Sequence, residues 1–482
     1  LPVFHADIFV EEQDLRVVDF SGMIDKSDFH FSGMLELYEK WFDEHPGGDS
    51  KIEFDLASER LLLENLFTYK GENFVPEDYR HEVFDKLHVH GFTYLHYADE
   101  LKSIDLTLDK LEAKMKVHPL RLKDFQGRVH YEDDHLVVED FHGKMGHSNF
   151  TTTLHYYLGD DPSVRKRDNH FSLVAQRLDI DELSNYNPGP VKPGNTGVHV
   201  DHEAGFNIYE LPFTDMTYHL DIGLLDYHTY RITNFKGELR TTPNHYIHVD
   251  KLAMNMAGGH FDVTGYFNGS NPDLIYFNPT IKARNVDLDQ LLLRFENFGQ
   301  DYIVSENLHG KFTGTISGKI HVHPDLIPKI DDSEIHMDLD VVKGRLENYA
   351  LLQYMSDYFK DKNLNSVLFD TLNNNLDIVD GVITIPQMSV NSSLGHMQIS
   401  GKQALDGTME YYLKIPWKMV SSTARSRLFG KKKDEEGNQE GLDEIQYGDE
   451  KTRYVNVKIT GDADNYKFSI GKYKSNKKKE GG

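Results

Sequence analysis

The chain has 482 residues and a formal net charge of −26, from 78 acidic and 52 basic side chains. This excess of acid disfavours binding to nucleic acid, whose phosphates need cationic partners, and flat docking on an anionic leaflet. A hydrophobic content of 39% excludes wholesale disorder, and the absence of cysteine excludes disulfides and thiolate metal sites.

Alternation of apolar and polar residues dominates the chain and predicts β-strands. Ile104, Leu106 and Leu108 alternate with polar residues, and the same pattern returns at residues 219–224, 334–341 and 455–459. Each such strand has one apolar and one polar face, which is typical of an antiparallel sheet with one face in water. The sequence therefore predicts a mainly β fold, in which a long curled antiparallel sheet forms an open, repeating β-groove with a few short capping helices.

A motif of two strands around a turn occurs four times, beginning near Leu15, Leu136, Ile247 and Ile383. The spacing between copies is too long for a short solenoid repeat and favours modules of several strands. We expect groove modules at residues 1–98, 99–211, 212–330 and 331–474, followed by a disordered basic tail at 475–482.

Helical spacing is confined to a few segments. The best is Leu346–Phe359, which carries Leu351, Leu352, Met355 and Phe359 on one stripe and is predicted to cap one end of the groove. The other candidates are Leu35–Phe42, Val286–Phe295 with Asp287 as N-cap, and Leu364–Leu372. Residues 421–451 form a long polar stretch, which predicts a surface loop of mixed charge.

No motif with catalytic spacing is found in the sequence: no nucleophile elbow, phosphate-binding glycine loop or zinc-protease histidine pair. The acidic pairs Asp133–Asp134 and Asp331–Asp332 are predicted to be turn residues. We therefore predict a protein that is not an enzyme and has no cofactor.

Two histidine pairs, His88 with His90 and His321 with His323, have the spacing that places both rings on one face of a strand. Two imidazoles supply only part of a metal site, so further ligands would have to come from elsewhere. We interpret these histidines as solvated side chains and assign no metal site.

The apolar face needs a covering, because an exposed apolar face of many hundreds of Å² is not tolerated in water. It can pack against a second sheet, close as a filled barrel, or form a trough for an apolar ligand. Acyl chains suit a trough, since each buried CH₂ gains roughly 0.8 kcal/mol without directional demands. Ordinary packing against protein remains the alternative for every candidate lining residue. The candidates are Ile104, Leu106, Leu108, Leu136, Val138, Leu220, Ile222, Ile247, Val249, Phe261, Val263, Ile335, Met337, Leu339, Ile383, Ile385, Met397, Ile399, Val457 and Ile459.

A series of short segments follows in order through residues 286–468. The segments are Val286-Asp287-Leu288, Phe295-Glu296-Asn297-Phe298-Gly299-Gln300, Asn307-Leu308-His309-Gly310-Lys311, Gly344-Arg345-Leu346-Glu347-Asn348, Phe369-Asp370-Thr371-Leu372, Asp380-Gly381-Val382-Ile383-Thr384-Ile385-Pro386, Met388-Ser389-Val390-Asn391-Ser392-Ser393, Val457-Lys458-Ile459-Thr460-Gly461 and Asp464-Asn465-Tyr466-Lys467-Phe468. Together they resemble the C-terminal region of the AsmA family in its Bacteroidetes-type form, which is related to TamB and the bridge-like lipid transfer proteins. Residues 1 to 250 resemble that family only in style, as strand modules.

The resemblance implies a periplasmic, non-catalytic protein that carries phospholipid in a hydrophobic β-groove between the inner and outer membranes. It also implies a role in outer-membrane biogenesis, with membrane proteins as partners and an inner-membrane anchor near the N-terminus. The chain has no apolar run long enough to cross a bilayer and starts at Leu1 in strand-like sequence, so we expect any anchor to lie upstream.

A structural or adhesive array of β-sandwiches, binding surface glycans or protein partners, is the rival prediction. It requires closed cores and exposed aromatic platforms. Tyr156, Tyr157, Tyr411 and Tyr412 are the candidates for such a platform.

Overall fold

The fold is described from a computed structural model of the chain. The described residues are 4–42, 47–62, 64, 68–69, 72–73, 81–96, 100–114, 120–184, 207–210, 213–294, 306–349, 352–353, 363–417, 420, 445, 447–448, 452–462 and 465–470. The predicted tail at 475–482 and almost all of the predicted loop at 421–451 lie outside these residues.

Strands make up most of the described chain. In chain order they are β1 (Phe4–Glu11), β2 (Asp14–Ile24), β3 (Ser27–Leu35), β4 (Asp49–Leu62), β5 (Thr68–Tyr69), β6 (Glu72–Asn73), β7 (Val83–His96), β8 (Glu100–Lys114), β9 (Arg121–Glu132), β10 (His135–Met145), β11 (Ser148–Tyr157), β12 (His170–Asp179), β13 (Met216–Tyr227), β14 (Tyr230–Thr242), β15 (Tyr246–Met256), β16 (Gly259–Asn268), β17 (Tyr276–Asp287), β18 (Leu308–Val322), β19 (Pro328–Glu347), β20 (Ser366–Val379), β21 (Val382–Ser392), β22 (Gly395–Ala404), β23 (Met409–Pro416), β24 (Tyr454–Gly461) and β25 (Tyr466–Ile470).

Helices are short and few among the described residues. The α-helices are α1 (Pro162–Asp168), α2 (Ile180–Leu183) and α3 (Leu288–Arg294), and single 3₁₀ turns lie at Tyr38–Phe42, Ile208–Glu210 and Pro272–Leu274. The prediction of a helix after Asp287 is confirmed by α3. The predicted helix at Leu35–Phe42 is reduced to its 3₁₀ turn, because Leu35 completes strand β3.

The predicted helix at Leu364–Leu372 is wrong, because residues from Ser366 onward form β20. Its apolar spacing fits a helix, but the backbone pairs with β19 along its length, and this tertiary pairing overrides local spacing. The predicted capping helix is also wrong at its start, where Leu346 belongs to β19. Of its predicted stripe only Leu352 is described, and there Leu352 and Gln353 are helical, as predicted. Leu351, Met355 and Phe359 lie outside the described residues.

The turn predictions for the two acidic pairs have opposite outcomes. Asp133 and Asp134 form the turn between β9 and β10, with φ of 47° and 63°, as a two-residue hairpin turn with positive φ requires. Asp331 and Asp332 instead lie inside strand β19, so that prediction is wrong.

Twenty-three of the strands belong to one sheet, and β5 and β6 form a separate small pair. The large sheet is open: among the described residues β1 pairs only with β2, and β25 pairs only with β24. The predicted mainly β class, an open sheet with few helices, is confirmed.

One pair departs from the predicted antiparallel order. Strands β12 and β13 run parallel, from His170 beside Thr217 to Asp179 beside Asp226. A parallel pair needs a crossover of a dozen or more residues, and the stretch between Asp179 and Met216 supplies one. The alternation of apolar and polar residues did not reveal this change from antiparallel to parallel pairing, because side chains alternate with the same period in both.

The four sequence repeats correspond to hairpins β2–β3, β10–β11, β15–β16 and β21–β22. In the three whose register is described, the ladder shifts at the same place in the repeat: between Val17 and Phe20, between Val138 and Phe141, and between Ile385 and Met388. A bulge adds a residue to one strand, bends it and increases its twist. The repeat is therefore a bulged hairpin.

A buried serine at the turn ties two of these hairpins to a neighbouring strand. The Ser27 hydroxyl accepts a hydrogen bond from the backbone N–H of Leu62 at 2.9 Å, and that of Ser148 accepts one from Asp179 at 3.0 Å. Leu62 and Asp179 are the last residues of β4 and β12. The serine thus fixes where the neighbouring strand ends.

The chain divides into two compact units. Unit 1 comprises Leu1–Gly189 and Glu203–Asp250, and unit 2 comprises Pro190–His202 and Lys251–Gly482. The four-module division remains a prediction.

Candidate functional site

The strongest candidate site is an apolar face of unit 1 whose side chains line up from strand to strand. Directly paired residues in a sheet point to the same side, so the register identifies each row. One row, termed here the central row, crosses twelve strands. It comprises Ile8, Val17, Gly33, Phe54, Gly91, Leu106, Val129, Val138, Leu154, Phe171, Tyr218 and Leu239.

Two shorter apolar rows flank the central row. They lie on the same face, because Ile104 and Leu108 are two residues before and two residues after Leu106 on β8. The row through Ile104 comprises Val10, Leu15, Leu35, Ile52, Thr93, Ile104, Tyr131, Leu136 and Tyr156. The row through Leu108 comprises Ala6, Phe20, Phe31, Leu56, Val89, Leu108 and Gly127. Strands lie about 4.8 Å apart, so the eleven spacings of the central row extend roughly 50 Å across the hydrogen-bonded ladder.

Five predicted lining residues, Ile104, Leu106, Leu108, Leu136 and Val138, are brought together by these rows. All five are half-buried, as are the non-glycine members of the central row beyond Ile8. A fully packed core buries such side chains almost completely. The face therefore keeps apolar surface available to a further apolar partner.

Apolar exposure is greatest at the β1 edge. Phe4, Ile8 and Val10 are exposed at 47%, 49% and 57%, although all three belong to the apolar face. The Phe20 and Phe29 rings lie 5.1 Å apart, and the Phe4 ring lies within 6.2 Å of both. Aromatic pairs at these distances attract each other, so the exposed edge is still an ordered apolar surface.

The far end of unit 1 is closed by its own side chains. Ile222 is 2% exposed and packs with Ala175 and Leu178, while Ile180 and Leu183 of α2 cover this cluster. Leu220, two residues earlier on β13, is half-buried. Of the two candidates on β15, Ile247 is half-buried and Val249 is buried.

In unit 2, five predicted lining residues lie in or against a hydrophobic core. The core contains Met397, Val457 and Ile459, and Ile385 and Ile399 pack against it. Leu352 of the predicted capping helix contacts the same core. These side chains are covered by protein, which is the alternative that the sequence left open for them.

The remaining candidates of unit 2 lie on neighbouring strands. Val263 and Met337 belong to one cross-strand row, through Ile281 and Ile316. Phe261, Val263 and Ile335 are buried, and Met337, Leu339 and Ile383 are half-buried.

Histidine and aspartate line the opposite, polar face of the sheet. His130 contacts Asp105 at 2.8 Å in unit 1, and His336 contacts Asp377 at 2.7 Å in unit 2. The hydrogen bond that the His336 ring donates to the Asp377 carboxylate is the main cause that raises the pKa of His336 above its ordinary value. Of the histidines predicted to be solvated, His90 is exposed, whereas His88, His321 and His323 are half-buried. The prediction also missed the carboxylate partners of His88 and His90.

An open cleft of about 640 Å³ lies at the ends of strands β4, β7, β8 and β9 and at the turn after β9. Asp49, Lys102, Glu132, Asp133 and Asp134 are among its lining residues. Lys102 Nζ lies 2.6 Å from Asp49 Oδ2, and this bond is the main cause that lowers the pKa of Asp49. A cleft rich in carboxylates repels the anionic phosphate of a lipid headgroup, so the apolar face is the better candidate site.

The tyrosine pairs do not form the platforms that the rival prediction needs. Consecutive residues of a strand point to opposite faces, so neither pair presents two rings side by side. Tyr411 is also buried in the core of unit 2, where its hydroxyl donates to Gln403. Only Tyr412, at 36%, is an exposed member of the four.

Of the twelve members of the central row, the sequence analysis selected only Leu106 and Val138. Phe54, Val129, Leu154 and Phe171 carry the same alternation as the chosen residues and were detectable by it. What the sequence lacks is the register that aligns one strand with the next.

No helix among the described residues has both the length and the apolar character to cross a membrane. Comparison with protein-family models, with curated proteins and with solved structures gives no match to this chain.

Proposed function

We propose that this protein binds phospholipid or another acyl-chain lipid along the apolar face of its sheet, without catalysis. It acts in the periplasm and passes lipid between the inner and outer membranes, in support of outer-membrane biogenesis. Inner- and outer-membrane proteins are its expected partners. The ordered resemblance of residues 286–468 to the AsmA family supports the cellular role.

The central row carries this proposal. Its side chains form an apolar strip across twelve strands that is exposed at Ile8 and half-buried beyond it, while the polar residues of the same strands occupy the other face. Binding of a hydrocarbon tail gains roughly 0.8 kcal/mol for each CH₂ removed from water, and the tail needs no hydrogen-bond partner. It can therefore occupy any position along such a strip, which is what transfer requires.

Val138 and Val137 offer a matched pair for the test. Val138 belongs to the central row, whereas Val137 points to the polar face between His130 and His155. Lipid-free protein is incubated with vesicles of phosphatidylethanolamine and phosphatidylglycerol, and bound lipid is measured by native mass spectrometry. We expect Val138→Asp to lower lipid binding by about tenfold or more, equivalent to 1.4 kcal/mol, and Val137→Asp to leave it unchanged.

Thermal unfolding of both variants serves as the control. Val138→Asp should stay folded, because Val138 already has access to solvent. The proposal fails if wild-type protein takes up no lipid or if both variants bind it equally. It fails too if Val138→Asp unfolds unit 1, since Val138 would then belong to a packed core.

The packed core of unit 2 favours the rival function, a structural β array with protein or glycan partners. That function predicts a lipid-free mass for the wild-type protein after the same incubation.

A further inference from the structure

Four side chains with metal-binding chemistry meet on the polar face of strands β4, β7 and β8. Asp55 on β4 pairs directly with His90 on β7, and His88 lies two residues before His90 on the same face. The register between β7 and β8 shifts between His88 and Val89, which leaves Asp109 as an extra residue opposite them. The bulge thus brings a second carboxylate to the two rings.

The contacts among these side chains are short. Asp109 Oδ2 lies 2.7 Å from His90 Nδ1 and 3.1 Å from His88 Nδ1. On the other side of the ring, His88 Nε2 lies 3.2 Å from Asp55 Oδ2. Asp55, His88 and His90 each offer a ligand atom, and these atoms all lie within 4.8 Å of one another. Ligands around a tetrahedral zinc ion, bound at about 2.0–2.2 Å, lie roughly 3.3 Å apart, so small side-chain movements suffice.

We propose that Asp55, His88 and His90 bind one divalent transition-metal ion, with zinc as the representative, and that Asp109 is the outer-shell partner of both rings. Two imidazoles with carboxylates favour Zn²⁺, Co²⁺ or Ni²⁺ over Mg²⁺ and Ca²⁺, which prefer oxygen ligands alone. Two carboxylates balance the charge of the ion. His88 Nε2 faces Asp55 and binds the metal, while His88 Nδ1 faces Asp109, an arrangement that fixes the orientation of a ligating histidine.

Such an ion, together with its outer-shell partner, links the neighbouring strands β4, β7 and β8 on the polar face of the sheet. Leu56, Val89 and Leu108 of the same strands lie on the apolar face, so the metal does not compete with lipid. An ion that binds the folded chain but not the unfolded chain stabilises the fold by mass action. The proposal is independent of the lipid-binding function.

A second cluster of possible ligands, His147, Asp179 and Glu182, is explained without metal. Asp179 Oδ1 accepts the backbone N–H of Glu182 at 3.0 Å and caps α2, while Glu182 Oε2 accepts the N–H of His147 at 2.7 Å. Its carboxylates already serve backbone donors, whereas those of Asp55 and Asp109 face imidazole nitrogens.

The test uses the full chain, freed of metal with a chelator and titrated with Zn²⁺ alone in a calorimeter. We expect the wild-type protein to bind Zn²⁺ at one tight site. In the double variant with His88→Gln and His90→Gln, the affinity for Zn²⁺ should be lost or should fall by at least the 10- to 100-fold that is typical of losing an outer-shell partner. Asp55→Asn and Asp109→Asn should each weaken it as well. His130→Gln is the matched control, because His130 is a solvated ring on the same face with its own partner Asp105, and should bind as the wild type does.

Titration with Co²⁺ adds a readout on the unaltered protein. Visible absorption from a site with nitrogen ligands is expected in the wild type and the His130→Gln control, and should vanish in the double histidine variant. The proposal is overturned if wild-type protein binds no Zn²⁺, or if the double variant binds it as tightly as the control. Hydrogen exchange in β4, β7 and β8 should slow with Zn²⁺; unchanged exchange at saturating Zn²⁺ would place the ion elsewhere.

Discussion

The apolar face of β1–β11 in unit 1 and that of β20–β25 in unit 2 come from the same alternating sequence, yet their side chains have different surroundings. Leu106 and Val138 are half-buried, whereas Val457 and Ile459 are 4% and 0% exposed and lie in a hydrophobic core. The difference shows that alternation defines a face but does not say what covers it. In unit 2 protein covers it; in unit 1 the proposed covering is lipid.

The largest expected effect is the loss of stability on truncating Ile459. Ile459→Ala should destabilise unit 2 by about 2–5 kcal/mol, because it leaves a cavity in a packed core. Leu108→Ala in lipid-free protein should cost only about 1 kcal/mol, because Leu108 is already in partial contact with water. Hydrogen exchange of β23–β25 and of β7–β9 in increasing urea measures the two units separately. Equal losses would show that the face of unit 1 is also a packed core.

A smaller effect tests a type of contact that both regions contain, a buried serine near a hairpin turn that accepts an N–H from a neighbouring strand. Ser148 in unit 1 accepts the N–H of Asp179 at 3.0 Å, and Ser393 in unit 2 accepts that of Leu368 at 3.2 Å. Both serines are buried. Alanine at either position leaves a part-buried N–H without its acceptor and should cost about 1–2 kcal/mol. Urea unfolding measures the loss.

Ser270→Ala is the control for these serine variants, since Ser270 lies exposed in a turn and should change stability by less than about 0.5 kcal/mol. A cost in only one unit would mean that the repeated hairpins differ in structure as well as in surroundings.

The smallest effect concerns the polar face, which is alike in both regions. The pKa of His336 is raised, first by its hydrogen bond to Asp377, so the folded state holds the proton more tightly than the unfolded state. The stabilisation is full below the ordinary histidine pKa and is lost as pH rises through the raised value. His336→Gln should therefore cost most at acidic pH, by no more than about 1 kcal/mol for so exposed a pair.

Urea midpoints across this pH range measure the effect of His336→Gln, and Asp377→Asn should flatten the pH dependence in the same way. A cost that grows toward alkaline pH would contradict the assignment of the proton to this pair.

Much of the fold was predictable because it depends on neighbours in the sequence. The alternation at Ile104, Leu106 and Leu108 predicted a strand with one apolar face, and Asp287 predicted the start of α3. The helix predicted at Leu364–Leu372 failed because its spacing fits both a helix and a strand, and pairing with β19 decided between them. The parallel pairing of β12 and β13 had no local signal either.

The candidate sites, too, depend partly on local sequence and partly on residues that are far apart in the chain. Sequence placed His88 and His90 on one face but not Asp55 and Asp109, because these lie on other strands and one of them reaches the site through a bulge. Sequence likewise chose Leu106 and Ile459 for the same role, although only the structure separates the half-buried side chain from the one in the core.

By itself the sequence determined the strands, their two unlike faces and the repeated hairpins, since a period of two and the turn residues are properties of a short stretch of chain. The tertiary structure alone decided the register that aligns twelve strands into the central row, the parallel pair, and which apolar side chains protein already covers. Register and burial depend on residues far apart in the chain, which meet only when the backbone hydrogen bonds of the sheet are formed.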